Sequence, residues 1–357
     1  MARARTMPTP NTKEETAMTF FKKAIAATAG LTALAWVTSG STAEFYRLAT
    51  LGPGSSPYLV MSTFAQMVNE QLEGVEIQVN ATGAATQHAI EAGKGDLDFF
   101  MWSASVHDFM SKGAAMYAKI PQAAELSKNL RAVFAFPLGL YHITTYADSG
   151  IESLEDIKGK KVFLGPPGGG ATTIMQNVVE GATGYKTNED FEYVQLGWDA
   201  AAQAFQDGRI DVYINSTNAP SPIIQQMALS RKIRFLGLTD EQMQKPQVAA
   251  ILKRPGGTLG SIEPGTYGEN QVNTEPVQTL GSTVGIGVGR HMTEDAVYEI
   301  TKAFWTAWEG AVASTPWLRK VSLEGAFTDL NLPLHPGAAR YYKEIGMQIP
   351  EAILPAD

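Results

Sequence analysis

The residues best able to do chemistry in this chain are serines, threonines, asparagine, tryptophans and glycines gathered in six short turns. Ser55, Ser56 and Tyr58 fall in the first, Thr82 and Gly83 in the second, Trp102 and Ser103 in the third. Gly168, Gly169, Gly170 and Thr172 fall in the fourth, Trp198 in the fifth, Asn215 and Ser216 in the sixth. None of these turns contains lysine or arginine. The chemistry they suit is reversible hydrogen bonding to a small solute. Glycine lets the backbone come close to a ligand, and a helix starting after each turn offers unpaired N–H groups with partial positive charge. One helix end contributes only about 0.3–1 kcal/mol to an exposed anion, but each hydrogen bond to a charged group adds roughly 1.5–3 kcal/mol. Three or four such bonds reach the roughly -8 kcal/mol of a micromolar ligand, so a carboxylate can be held without an arginine clamp.

Each of these residues has a second use. The hydroxyls of Ser55, Ser56, Thr172 and Thr173 are of the type that caps helices. Trp102 suits a ligand-facing wall and a packed core equally, and Trp198 and Tyr58 are candidates of the same kind. Asp199 reads as the N-cap of a helix from Ala200 more than as a partner for a ligand ammonium, and Asp108 reads similarly. The run Gly165-Pro166-Pro167-Gly168-Gly169-Gly170-Ala171-Thr172-Thr173 lacks the Gly-Lys-Ser/Thr ending of a nucleotide loop and the spacing of a dinucleotide fingerprint. There is no cysteine, hence no disulfide, thiolate site or cysteine nucleophile. The five histidines show no metal-ligand spacing, and no Gly-x-Ser-x-Gly elbow occurs. Catalytic residues, a metal and a cofactor are therefore not expected, nor is enzymatic activity.

The turns are positioned by a duplicated plan. Gly52 and Gly165 each end a strand-like run and stand 113 residues apart, as do Gly95-Asp96-Leu97-Asp98 and Gly208-Arg209-Ile210-Asp211. Strand patterns at 45–50, 75–79, 97–102 and 130–136 alternate with helical ones, and the same alternation resumes at 141–146. This is an α/β chain whose ligand turns sit at the carboxyl ends of strands. The stretch 253–276, rich in glycine, proline and glutamate, reads as a loop. Thr283 to Val288 reads as a strand returning to the first unit, and Thr293 opens a long amphipathic helix with Val297, Ile300, Phe304 and Trp308 on one face. Crossings near 137–141 and 270–282 divide the chain into lobe I (44–138 and 277–357) and lobe II (139–276).

Residues 1–43 read as an export leader with an upstream extension. Lys22-Lys23 precedes the apolar run Ala24–Val37, and Ser41-Thr42-Ala43 places cleavage after Ala43. No cysteine follows, so a lipoprotein anchor is excluded. The formal net charge is -8, and removing the leader leaves 23 basic and 34 acidic residues, a net charge of -11. That acidic balance, with no basic run, speaks against a nucleic-acid partner.

Beyond this plan the chain carries Asp148-Ser149-Gly150-Ile151, Asp156-Ile157-Lys158-Gly159-Lys160-Lys161-Val162 and the Gly165–Gly170 turn. It also carries Ala81-Thr82-Gly83, Thr217-Asn218-Ala219-Pro220 and Leu334-His335-Pro336-Gly337-Ala338-Ala339-Arg340-Tyr341-Tyr342. In these it resembles the TAXI family of TRAP-transporter solute-binding proteins. The resemblance implies a two-lobed type II periplasmic-binding fold: two mainly parallel sheets flanked by helices and joined by a two-strand hinge. It implies a monomeric periplasmic receptor that closes on a small organic acid or amino acid and delivers it to the membrane permease subunits of a TRAP transporter. Its cleft positions carry over to Ser55, Ser56, Tyr58, Thr82, Gly83, Gly168, Gly169, Gly170 and Thr172. The first turn, Gly52-Pro53-Gly54-Ser55-Ser56-Pro57-Tyr58, departs from the family's glycine-richer form, which bears on the identity of the ligand. Two other readings of the scaffold are a sensor subunit that presents its ligand to a membrane kinase and an exported enzyme. The enzyme would need an acid/base pair that only Asp199 and Asp108 could supply.

Overall fold

The computed structural model of the chain describes residues 43–53 and 55–355; the expected leader, apart from Ala43, lies outside them. The chain begins β1 (Glu44–Ala49), α1 (Ser56–Gln71), β2 (Val75–Asn80), α2 (Ala85–Lys94), β3 (Phe99–Ser103), α3 (Ala104–Ser111) and α4 (Ala123–Ser127). A 17-residue strand follows, β4 (Leu130–Tyr146). Next come β5 (Lys161–Phe163), α5 (Gly170–Thr183), β6 (Glu192–Tyr193), α6 (Trp198–Gln206), β7 (Val212–Thr217), α7 (Pro222–Ser230) and β8 (Ile233–Phe235). The chain ends with α8 (Asp240–Gln244), α9 (Pro246–Leu252), β9 (Gly257–Ile262), β10 (Val277–Gly289), α10 (Glu294–Ala311) and α11 (Pro336–Glu344).

Local chemistry explains the helix starts. Ser55 caps α1, its hydroxyl accepting from Tyr58 N–H, and proline stands in the first turn. Val60, Met61, Phe64 and Val68 bury one face of that helix, while Leu59 lies on the exposed side. Thr293 caps α10, whose Val297, Ile300 and Phe304 are buried. Phe304 stacks on Phe134 at 4.8 Å between ring centroids, and Phe64 closes the group at 5.3 Å from Phe304. Full burial of such side chains stabilises the fold by roughly 1.5–3 kcal/mol each.

The architecture is α/β and two-lobed, as expected. One core gathers residues from Leu48 to Leu138 and from Val284 to Ile353. Two further cores are built from residues between Tyr141 and Leu280. The two expected sheets are the ends of one mixed sheet, ordered β2-β1-β3-β10-β4-β7-β5-β6, with β8 on β4 and β9 on β10. Pairing is parallel towards both ends, in β1–β2, β1–β3, β5–β6 and β5–β7. It is antiparallel in the middle, because the chain leaves the first lobe on β4 and returns on β10. These two strands pair through the crossing itself, Leu140 opposite Gly281 and Gly139 opposite Ser282, with a shift of register between Ser282 and Thr283. Gly139 has φ +117°, and a Cβ there would stand 2.1 Å from the Thr217 carbonyl oxygen, so only glycine fits this crossing. The stretch expected as a loop at 253–276 contains β9, which pairs with β10 from Ile262–Val277 to Gly257–Ser282. Glycines and turn residues around it hide its strand pattern.

Among the described residues, no helix is long and apolar enough to cross a membrane.

Candidate functional site

The crossing strands form the floor of a cavity between the lobes. The cavity is small, about 60 Å3 counted as room for the centres of water-sized spheres, several times the roughly 10–15 Å3 that one water needs on that measure. Five helices begin at its walls. Ser55 and Pro57 come from the start of α1, Ala84 and Ala85 from α2, and Ser103 from the residue before α3. Gly169, Gly170 and Ala171 come from α5, and Trp198 from α6. Only α1 of these five has a side chain capping its first turn; the N-cap positions Ala84, Ser103, Gly169 and Gly197 make no side-chain cap bond. Four helix ends thus present unpaired backbone donors around one small volume. None of the lining residues is charged.

The expected site residues divide in two. Ser55, Gly83, Ser103, Gly169, Gly170, Trp198, Asn215 and Ser216 line the cavity together. Ser56, Tyr58, Thr82, Trp102, Gly168 and Thr172 lie outside its lining. Trp102 is removed by strand alternation: its neighbours Met101 and Ser103 face the cavity, while Trp102 is 1% exposed in the core. Tyr58 sits one residue beyond Pro57 in α1, its N–H given to Ser55 Oγ. Thr82 is exposed, its hydroxyl on Asn80 Oδ1 and its carbonyl against His88 Nε2. Thr172 donates to the Pro166 carbonyl at 2.6 Å and so closes the glycine turn instead of capping α5. Asp199 is not an N-cap; Gly197 is, and Asp199 lies exposed in the first turn of α6, where partial desolvation raises its carboxyl. Asp108 lies within α3 and pairs with Lys112 and Arg254.

Two of the residues outside the lining bridge the lobes. Ser56 Oγ meets Thr217 Oγ1 at 2.6 Å, and the Gly168 carbonyl accepts from Thr86 Oγ1 at 2.9 Å. Ser105 Oγ donates to the Pro255 carbonyl at 3.0 Å, and Arg254 Nη1 stands 2.8 Å from Asp108 Oδ2. Val106 of α3 packs so closely on α5 that a Cβ at Gly170 would stand 2.6 Å from its Cγ2. The lobes are therefore described in a shut arrangement.

The turns alone did not disclose Leu138, Tyr141, Ser282 and Val284, which line the cavity from β4 and β10. The signal was in the chain: these residues stand at or beside the two crossings. Met101, Val106 and Ile174 supply apolar walls from β3, α3 and α5. Tyr141 is opposite Ser216 in the β4–β7 pairing, and Ser216 Oγ lies 3.3 Å from Ser282 Oγ. A polar row thus crosses three adjacent strands. Behind it, His142 is buried with Nδ1 2.9 Å from the Leu140 carbonyl and Nε2 2.7 Å from Tyr267 Oη. Burial lowers its pKa to about 4, so its ring is neutral. Among the described residues no cluster of three histidine, aspartate or glutamate side chains could hold a metal.

The site can do one thing well: enclose a compact solute with an apolar body and meet its polar end with backbone and side-chain donors. Distant likenesses exist among solved structures. The alkanesulfonate-binding protein SsuA from Xanthomonas axonopodis pv. citri, bound to MOPS, matches at 15% identity over 84% of this chain and 83% of its own, with TM-score 0.46. A TRAP periplasmic solute binding protein from Sulfitobacter sp. NAS-14.1 with bound β-D-galacturonate matches at 11% identity over 84% and 94%, with TM-score 0.43. Another from Ralstonia eutropha H16 with bound (S)-2-acetolactate matches at 12% over 85% and 95%, with TM-score 0.44. The NMT1-like family matches over residues 48–346, most of the chain, and the chain belongs to that family.

Proposed function

We propose that the protein is an extracytoplasmic solute receptor of the TAXI type. It binds a small organic acid or amino acid between its lobes and hands it to the permease subunits of a TRAP-type secondary transporter. The lobes are taken to divide after Leu138 and before Val277, with the leader removed after Ala43 and the mature chain monomeric in the periplasm. The observation that carries the reading is the uncharged cavity ringed by the starts of five helices. Backbone donors and helix dipoles favour an anion there, and the absence of lining carboxylates removes the repulsion that would oppose it. The lining also holds no histidine, carboxylate or lysine to act as a general base, which favours binding over turnover.

A thermal-shift screen of the mature protein, from Glu44 onward and refolded after denaturation, tests this. The panel comprises organic acids and amino acids, with sugars and inorganic cations as controls. A saturable rise in Tm for acids or amino acids is expected. A rise confined to the sugars or cations, or no rise with any compound, would overturn the reading.

A further inference from the structure

Tyr141 is 3% exposed, and its hydroxyl makes no hydrogen bond among the described residues. Four other buried tyrosines behave differently. Tyr117 donates to the Thr86 carbonyl, Tyr213 accepts from Asn215, Tyr267 meets His142 and Ser221, and Tyr342 meets Trp305 and Val133. A buried hydroxyl without a partner is costly. Tyr141 differs from sealed groups such as Tyr146 Oη, Trp102 Nε1 and Thr50 Oγ1, which are buried without partners away from the cavity: Tyr141 lines it. Trp198 and Ser103 line it too, and neither Trp198 Nε1 nor Ser103 Oγ has a hydrogen-bond partner among the described residues. Asn215 gives its amide N–H to Tyr213 and keeps Oδ1 uncommitted.

We infer that Tyr141 is the residue that orients and selects the solute, donating its hydroxyl to a carboxylate whose remaining substituents are uncharged. This rests on the receptor reading above and narrows it, excluding the amino acids. Burial raises the Tyr141 hydroxyl well above its ordinary range, so it stays a donor at every physiological pH. An α-ammonium would find no carboxylate in the lining, and the four uncapped helix starts would repel it. An oxo group in its place can accept from the Ser103 hydroxyl or the second Asn215 amide N–H, and a hydroxyl group can also donate to Asn215 Oδ1.

The test uses matched pairs on one carbon skeleton: pyruvate and alanine, 3-methyl-2-oxobutanoate and valine, phenylpyruvate and phenylalanine. Binding is read by titration calorimetry and by Tm. At least one oxo acid is expected to bind, with its amino acid at least tenfold weaker. Tyr141→Phe should weaken that oxo acid about 10- to 100-fold, the range of one hydrogen bond to a charged group. Its Tm without added solute should be unchanged or higher, because no protein partner is lost. Trp198→Phe, which keeps an aromatic but smaller ring and removes a second donor, should weaken the same acid. An amino acid binding as well as its oxo acid would overturn the selectivity and leave the receptor reading standing. An unchanged Kd in Tyr141→Phe, or a fall in Tm with Kd unchanged, would overturn the role of Tyr141. No binding by any acid or amino acid would overturn both.

Discussion

Two histidines show how single residues tie this fold to pH. His142 is enclosed between Leu140 and Tyr267 at the hinge, and His335 caps α11, accepting from Gly337 N–H and facing the Met292 carbonyl. Burial lowers the pKa of each to about 4, against about 6.5 in an unfolded chain. Between those values the unfolded state binds more protons than the native one, so stability falls as pH drops from about 6.5 towards 4. Above about pH 7 neither contributes a slope. Tm recorded from pH 8 to pH 4 should fall through this window, and His142→Asn should flatten the fall. A Tm constant down to pH 4.5 would contradict the assignment. Asp156, Asp190 and Glu344, whose carboxyls are lowered by hydrogen bonds and neighbouring lysines, lose their contribution only at lower pH. At this scale the sequence was partly legible. Ser55, Ser103 and Asn215, which line the cavity, stand in turns at strand ends and were legible for that reason. Thr82, Trp102 and Gly168 share those turns but point elsewhere, because strand alternation and the turn's own hydrogen bonds decide which side chain faces inward. Neither is visible in residue type.

Helix α5 tests what an element contributes. Gly170 opens it, and the close approach of Val106 leaves no room for a Cβ there in the shut arrangement. Gly170→Ala should favour the helix itself, by roughly 0.5–1 kcal/mol, while keeping the lobes apart. The expected outcome is a solute affinity lowered about tenfold, equivalent to ~1.4 kcal/mol, with an unchanged or raised Tm. Val106→Ala in the same chain should restore most of the affinity. Failure of that rescue would show that α5 and α3 do not meet on binding. The elements themselves were readable from periodicity, α1 and α10 most plainly, since one face of each is apolar. The two long strands were not. Their two ends pack into different cores with Gly139, Leu140 and Gly281 between them, and the continuity of β4 with β10 is a tertiary pairing that no local pattern carries. The partners Tyr141 and Ser282 stayed hidden for that reason.

At the scale of the whole molecule, the charges lie away from the cavity. The chain carries a net charge of -8, yet no ionised side chain lines the cavity. Solute affinity should therefore change less than about threefold between 50 mM and 500 mM salt, where an exposed ion pair would be screened. A steep loss over this range in calorimetry would require a distant lysine or arginine to enter the site. Four contacts that bridge the lobes, Ser56–Thr217, Thr86–Gly168, Ser105–Pro255 and Asp108–Arg254, are made by residues outside the lining. Because these residues do not line the cavity, they are expected to bias the molecule towards its shut form by the same amount whatever solute is bound. The apparent affinity for every solute is scaled by that bias, while on the proposed reading the ratio between two solutes is set by the lining residues Tyr141 and Asn215 and their neighbours. A change at Thr86 or Arg254 should shift the affinities for two solutes by the same factor and leave their ratio unchanged, which paired titrations would check. Sensitivity and choice are thus written in different parts of the chain and can be adjusted independently.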